Sequence, residues 1–208
     1  MNKYSLFYGM NENEINNILK YLDTDEREYK KSSTVMYFNQ MSENIGIMQK
    51  GTAYLIVSNT DGEKSIIDYY QEGDVFGRQF SPNISVNLYC IVAKTKCSVK
   101  FCRYDKMLNY LNNNGQNYRK FINNLICNSS RKAQIHIDIL SQRTIRNKLM
   151  TYFRYISFQS DSKQIKLPLP LTDLADYLLI DRCAMMRELK KMNEAGMIIS
   201  KGHNITIL

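Results

Sequence analysis

Tryptophan is absent from these 208 residues, and there are only three prolines and two histidines. The histidines, His136 and His203, are far apart, and the first 135 residues contain none. A histidine-based metal centre or proton relay therefore has almost nothing to draw on. The five cysteines (Cys90, Cys97, Cys102, Cys127 and Cys183) stand singly, and no pair is spaced CxxC. That spacing argues against zinc binding and thioredoxin-like chemistry; single cysteines of this kind read as small buried hydrophobes. No uninterrupted apolar run is long enough to span a bilayer, and the opening "MNKYSLFYGMNENE" has too short an apolar stretch for a signal peptide. The expectation is a cytoplasmic protein with no membrane partner.

Apolar residues make up 44% and charged residues 23%, the composition of a globular chain, and the length allows two domains. The net charge of +8 is unevenly placed. Residues 1–104 carry 12 basic and 12 acidic side chains, residues 105–140 carry 5 and 2, and residues 141–208 carry 11 and 6. A neutral front and a basic back suit a sensor or scaffold followed by a part that binds a polyanion.

Asn11 followed by Glu14 is close to a capping box, and Ile15, Ile18, Leu19 and Leu22 then mark one face of a helix. From Glu28 to Arg103 short β-type runs alternate with turn signals: "TAYLIVS" ends at "NTDGE", "KSIIDYY" ends at "QEGD", and "LYCIVA" and "CSVKFC" follow. Strands at this spacing read as an antiparallel barrel or roll. "DKMLNYL" then predicts a short helix, and "QNYRKFINNLICNSSRKAQIHIDIL" a long one with Tyr118, Phe121, Ile122, Leu125, Ile135 and Ile139 at threes and fours. That narrow stripe suits a partner helix.

The last third predicts an amphipathic helix through Ile145, Leu149, Tyr152, Phe153 and Ile156, then a loop with room for a short strand. Thr172 is placed as the N-cap of "DLADYLL" and Asp181 as that of "RCAMMRELKKMNEA", with Gly196 at the C′ position. "GMIISKGHNITIL" closes the chain as a hairpin. Helix, short turn, capped helix and hairpin make a winged helix-turn-helix. In its second helix Ala184, Met185, Leu189 and Met192 share the inward face, leaving Arg182, Cys183, Met186, Arg187 and Lys190 outward. Arg182 or Arg187 can read guanine O6/N7 bidentately, Met186 can meet a thymine methyl, Lys190 and Lys191 suit phosphate, and Thr172 and Cys183 complete the candidate DNA-binding set.

"LTDLADYLLIDRCAMMRELKKMNEAGMI" resembles the C-terminal motif of the Crp/Fnr superfamily, the cyclic-AMP-receptor-like transcription regulators. The matching residues are Leu171, Thr172, Leu174, Ala175, Tyr177, Leu178, Asp181, Arg182, Arg187, Glu194 and Gly196. "SLFYGMNENEINNILKYL" is similar to the family's opening helix, and "NTDGEKSIIDYYQEGDVFG" to the middle of its β-roll. The resemblance implies a homodimer joined through the long helix, with one recognition helix on each half of a palindrome and RNA polymerase as a further partner. Two departures qualify it. The family's frequent Glu after the first recognition Arg is Cys183, and a thiol cannot accept from cytosine N4 as a carboxylate does. The turn position often held by Gly is Leu179, which costs on the order of 1 kcal/mol if it adopts positive φ.

In the family's cyclic-nucleotide-binding members a Glu follows the Phe-Gly of the roll, and an Arg and a Ser or Thr further on hold the phosphate. Here Arg78 follows Gly77, and the phosphate Arg aligns near Asn87, with no Arg between Arg78 and Arg103. Losing both acceptor and clamp removes that chemistry and leaves Gly77, Arg78 and Asn87 as a candidate pocket for another effector. The family's iron–sulfur members use N-terminal cysteines, whereas the first cysteine here is Cys90. A haem would need Met, Cys or Tyr ligands in the roll, or His136.

The sequence is thus expected to be α+β: a cyclic-nucleotide-binding-like β-roll over 1–104, linker and dimerisation helices over 105–140, and a winged helix-turn-helix over 141–208. The expected function is DNA-binding transcription regulation without catalysis. The alternative is a ligand-binding roll whose C-terminal domain contacts protein. A roll enzyme of the cupin type fails for want of a His cluster.

Overall fold

The computed structural model describes residues 6–38, 43–59, 61–77, 88–113 and 115–208. Two compact units, Met1–Asn128 and Ser129–Leu208, divide the chain. The division falls inside the long helix, which the sequence had placed whole in a segment of its own.

The first unit opens with α1 (Glu12–Tyr21), whose capping box forms as expected: the Glu14 amide donates to Asn11 Oδ1 at 2.9 Å, and the Asn11 amide to Glu14 Oε2 at 2.8 Å. Eight strands follow: β1 (Asp25–Tyr29), β2 (Thr34–Phe38), β3 (Asn44–Lys50), β4 (Ala53–Ser58), β5 (Lys64–Tyr70), β6 (Val75–Gly77), β7 (Leu88–Ala93) and β8 (Cys97–Arg103). They form two antiparallel sheets, ordered β1-β8-β3-β6 and β2-β7-β4-β5. Side chains from both, among them Met48, Tyr70, Phe76, Ile91, Val99 and Phe101, make one core.

β3 is buried on both faces because successive side chains point opposite ways. Met48 enters the core between the sheets, while Ile45 and Ile47 face a second core with Leu6, Phe7, Met10, Ile18, Leu22, Cys102 and Met107. Gly46 lies between those two isoleucines in sequence, where a Cβ would come 2.4 Å from the Phe76 ring. Met107 lies on α2 (Tyr104–Asn113), and the second core is completed by Phe121 and Leu125 of α3 (Gly115–Ser141). Asn124 joins α3 to the segment before α1, its amide donating to Leu6 O at 3.0 Å and Tyr8 O at 2.9 Å.

This placement corrects one expectation. Phe121 and Leu125, assigned from the periodicity to a partner helix, pack in the chain's own core, and Ile139 is fully buried in the second unit. The side chain of Tyr118 lies outside what the structure describes. Among the described side chains, the large apolar residues of α3 that are exposed are instead Ile126 and Ile137, at 60% and 67% of full exposure.

In the second unit, α4 (Ile145–Ser160) is capped by Thr144, and its Leu149, Met150, Tyr152, Phe153 and Ile156 are buried. β9 (Gln164–Lys166) supplies the anticipated short strand and pairs with β11 (Asn204–Ile207), which pairs with β10 (Ile198–Lys201). Between them lie α5 (Leu171–Tyr177) and α6 (Arg182–Glu194). No helix among the described residues is long and apolar enough to cross a membrane.

The ends of α5 and α6 share one hydrogen-bond pattern. After α6, the Gly196 amide reaches Asn193 O and the Met197 amide reaches Met192 O, with Gly196 at φ +67°. After α5, the Leu179 amide reaches Asp176 O and the Ile180 amide reaches Ala175 O, with Leu179 at φ +51°. Both are Schellman turns, so the residue read as a departure from Gly does occupy the left-handed region. Its side chain is 59% exposed and contributes little packing in exchange. Leu179→Gly is expected to stabilise the protein by about 0.5–1 kcal/mol, after allowance for the greater unfolded-state entropy of Gly. Urea unfolding should show a higher midpoint with unchanged slope.

Candidate nucleic-acid interface

α6 begins where the sequence placed it. The Ala184 amide donates to Asp181 Oδ1 at 2.7 Å, making Asp181 the N-cap. Met185, Leu189 and Met192 are buried, and Ala184 is half-buried beside them. Arg182, Cys183, Met186, Arg187, Lys190 and Lys191 are all exposed. Residues four apart stack along a helix, so they form two adjoining rows: Arg182, Met186 and Lys190, and Cys183, Arg187 and Lys191. Arg182 and Arg187 make no ion pair among the described residues, and Lys190 holds only an exposed contact to Glu194 at 3.8 Å. The helix thus presents a basic wall with two guanidinium groups in its first two turns.

Thr172 departs from expectation. The cap of α5 is Pro170, without a side-chain bond, and Thr172 sits inside the first turn with its hydroxyl donating to Asp173 Oδ1 at 3.1 Å. Proline supplies the extended backbone that precedes a helix, so a local sequence reading favours the hydroxyl residue two positions too late.

Three contacts that no local pattern signals hold the wall in place. Arg146 of α4 pairs with Glu188 of α6, Nε to Oε1 at 2.6 Å. Lys148 of α4 donates to Leu178 O at 3.0 Å. His136 of α3 places Nε2 2.9 Å from Tyr177 O and stacks its ring on the Tyr177 phenol, 4.1 Å between centroids and 7° between planes. Each joins residues 30 to 42 apart in sequence. Nε2 of His136, the residue named above as an alternative haem ligand, is thus engaged within the C-terminal unit.

Of the candidate effector pocket, Gly77 is described and Arg78 and Asn87 lie outside the described residues. Gly77 has φ +144°, and a Cβ there would fall 2.6 Å from Asn44 O. Glycine is required by contact with β3 alone. In the roll, burial raises the thiols of Cys90 and Cys97 above their ordinary range and pushes Cys102 up to about 11. These three are held as thiols, which disfavours redox chemistry at them.

Comparison with known proteins gives this geometry its context. Residues 26–114 match the profile of the Cyclic nucleotide-binding domain family. The solved structure of FixK2 from Bradyrhizobium japonicum superposes with a TM-score of 0.70 at 20% identity, covering 88% of this chain and 92% of that one. A cyclic nucleotide-binding domain containing protein from Listeria monocytogenes EGD-e gives 0.76 at 14% identity, covering 93% and 97%. A protein from Eubacterium rectale, assigned by its description to the crp/fnr family of transcriptional regulators, gives 0.60 at 13% identity, covering 96% and 91%. The chain has the Crp/Fnr fold. A search of curated proteins finds no sequence that matches it. These likenesses cover 93% and 96% of this chain, more than the matched domain alone.

Cys127 and Cys183 are the exposed thiols. Brief treatment of the folded protein with N-ethylmaleimide at neutral pH should label Cys183 at least about a hundredfold faster than Cys102, since Cys183 is exposed whereas Cys102 is buried and held as a thiol. Peptide mass spectrometry measures the two rates, and equal labelling would refute the placement of Cys102 in the core.

Proposed function

We propose that this protein is a homodimeric transcription regulator that reads a two-fold DNA site with α6 and is regulated through the roll. It acts in the cytoplasm, in contact with RNA polymerase, and without catalysis. The observation that carries this reading is the exposed wall of Arg182, Arg187, Lys190 and Lys191 on a helix whose opposite face is buried and whose start is capped. Four cations on a rigid helix suit the major groove, where arginines at the leading end meet base edges and lysines further along meet phosphate. Cys183 stands where a carboxylate would select cytosine, so the half-site differs from one specified by that contact. The partner subunit is met through α3, where Ile126 and Ile137 lie eleven residues, about three turns, apart. The signal differs from cyclic AMP and from an iron–sulfur cluster, because Arg78 replaces the ribose acceptor, Asn87 the phosphate Arg, and no cysteine precedes Cys90. Operator binding tightened by cyclic AMP would overturn that part.

A duplex selected from random DNA should be bound with an affinity that falls steeply with salt, through counterion release. Arg187→Ala should cost about 1–3 kcal/mol and relax preference at one base pair of each half-site, whereas Lys191→Ala should weaken all duplexes alike and lower the salt slope by about one. Fluorescence anisotropy across a mutated operator series separates the two. Sequence preference unchanged in Arg187→Ala would remove α6 from the recognition role. In sedimentation, Ile126→Glu should shift the protein from dimer to monomer at micromolar concentration while its circular dichroism stays native.

A further inference from the structure

The carbonyl groups at the end of α5 are met in two ways. Leu174 O accepts from the Leu178 amide, Ala175 O from Ile180 and Asp176 O from Leu179, all within the turn. The next two carbonyls are met from other helices: Tyr177 O by His136 and Leu178 O by Lys148. A carbonyl oxygen can only accept, so His136 must carry its hydrogen on Nε2. The same ring lies flat on the Tyr177 phenol, which itself meets Tyr152 edge-on at 6.1 Å.

We propose that His136 is a positioning residue for the recognition helix, fixing through Tyr177 the turn from which α6 departs. The proposal rests on α6 reading DNA. Only Leu178, Leu179, Ile180 and Asp181 separate Tyr177 from Arg182. One of those four already holds a left-handed conformation that an L-residue resists. Loss of the bond from His136 to Tyr177 O removes one tie between the end of α5 and α3 and loosens the turn that follows Tyr177. The bidentate contacts of Arg182 and Arg187 tolerate little displacement, whereas Lys190 and Lys191 follow a phosphate through flexible stems. Loss of His136 therefore removes sequence preference and spares general affinity for DNA.

Two substitutions separate the hydrogen bond from the ring. His136→Phe keeps a ring to stack on Tyr177 and removes the donor; His136→Gln supplies an amide donor without the imidazole. His136→Phe should lower the ratio of operator to random-duplex affinity by about tenfold, the order expected for loss of one partly buried hydrogen bond, with the salt slope unchanged. His136→Gln should recover the ratio to within about threefold. Amide exchange at Leu179 and Ile180, measured without DNA, should quicken in the Phe variant and return toward the wild-type rate in the Gln variant. A wild-type ratio in His136→Phe overturns the proposal, as does an equal loss in both variants. Uniform weakening on operator and random duplex alike also overturns it, since that is the mark of general destabilisation. Should the unaltered protein show no sequence preference, the DNA-reading assignment falls and the positioning role with it. The exchange rates then report independently on whether the His136 tether exists.

Discussion

A helix that stops inside a protein leaves its last carbonyls in need of donors, and the C-terminal unit is arranged around that demand at the end of α5. The turn has to reverse the chain between Tyr177 and Arg182, and it does so with Leu179 in a conformation that costs an L-residue free energy. Two long-range donors, His136 and Lys148, meet the carbonyls that the turn cannot reach itself. They come from α3 and α4, so the requirement of one short helix draws both longer helices to the same point. Asp181 then caps α6, and the positions of Met185, Leu189 and Met192 in the core decide which side chains remain outside. The basic wall is the last consequence in this series.

Charge on α6 is arranged to leave that wall cationic. The helix carries two acidic residues, Glu188 and Glu194. Glu188 is largely buried against Arg146, which neutralises it on the side away from the wall. Glu194 lies at the far end, beside Lys190. Removing Arg146 would leave a partly buried carboxylate without a partner, one residue from Arg187, which is costlier than the pair is beneficial. The pair thus serves orientation more than stability.

Features set by neighbours in sequence were legible without coordinates. The capping box at Asn11, the cap at Asp181, the glycine after α6 and the inward face of α6 all follow from residues within one or two turns. Periodicity was less informative on α3, because a stripe of Phe121, Leu125 and Ile139 looks the same whether it meets its own core or a second chain. Their burial assigns them to the chain's own cores, while Ile126 and Ile137 of the same helix stay exposed. Thr172 was misplaced because proline caps by backbone shape, which a search for side-chain oxygens overlooks. The contacts of His136, Lys148 and Arg146 were invisible for a different reason. Each depends on the packing of helices remote in sequence, and an exposed-looking charge gives no local sign of its partner.

The Phe-Gly pair of the roll shows how a motif can identify a fold and leave its ligand open. Phe76 is fully buried, with its ring against Gly46, and Gly77 passes so near Asn44 that no side chain fits. Both residues are required for β6 to lie on β3, whatever the pocket holds. The neighbouring turn is equally self-sufficient: the Asp74 amide reaches Gln71 O, the Gln71 amide reaches Asp74 Oδ2, and the Gly73 amide reaches Met48 O. Glycine and aspartate here make the turn, and neither needs a phosphate to explain it. Evidence for an effector must therefore come from side chains that packing does not require.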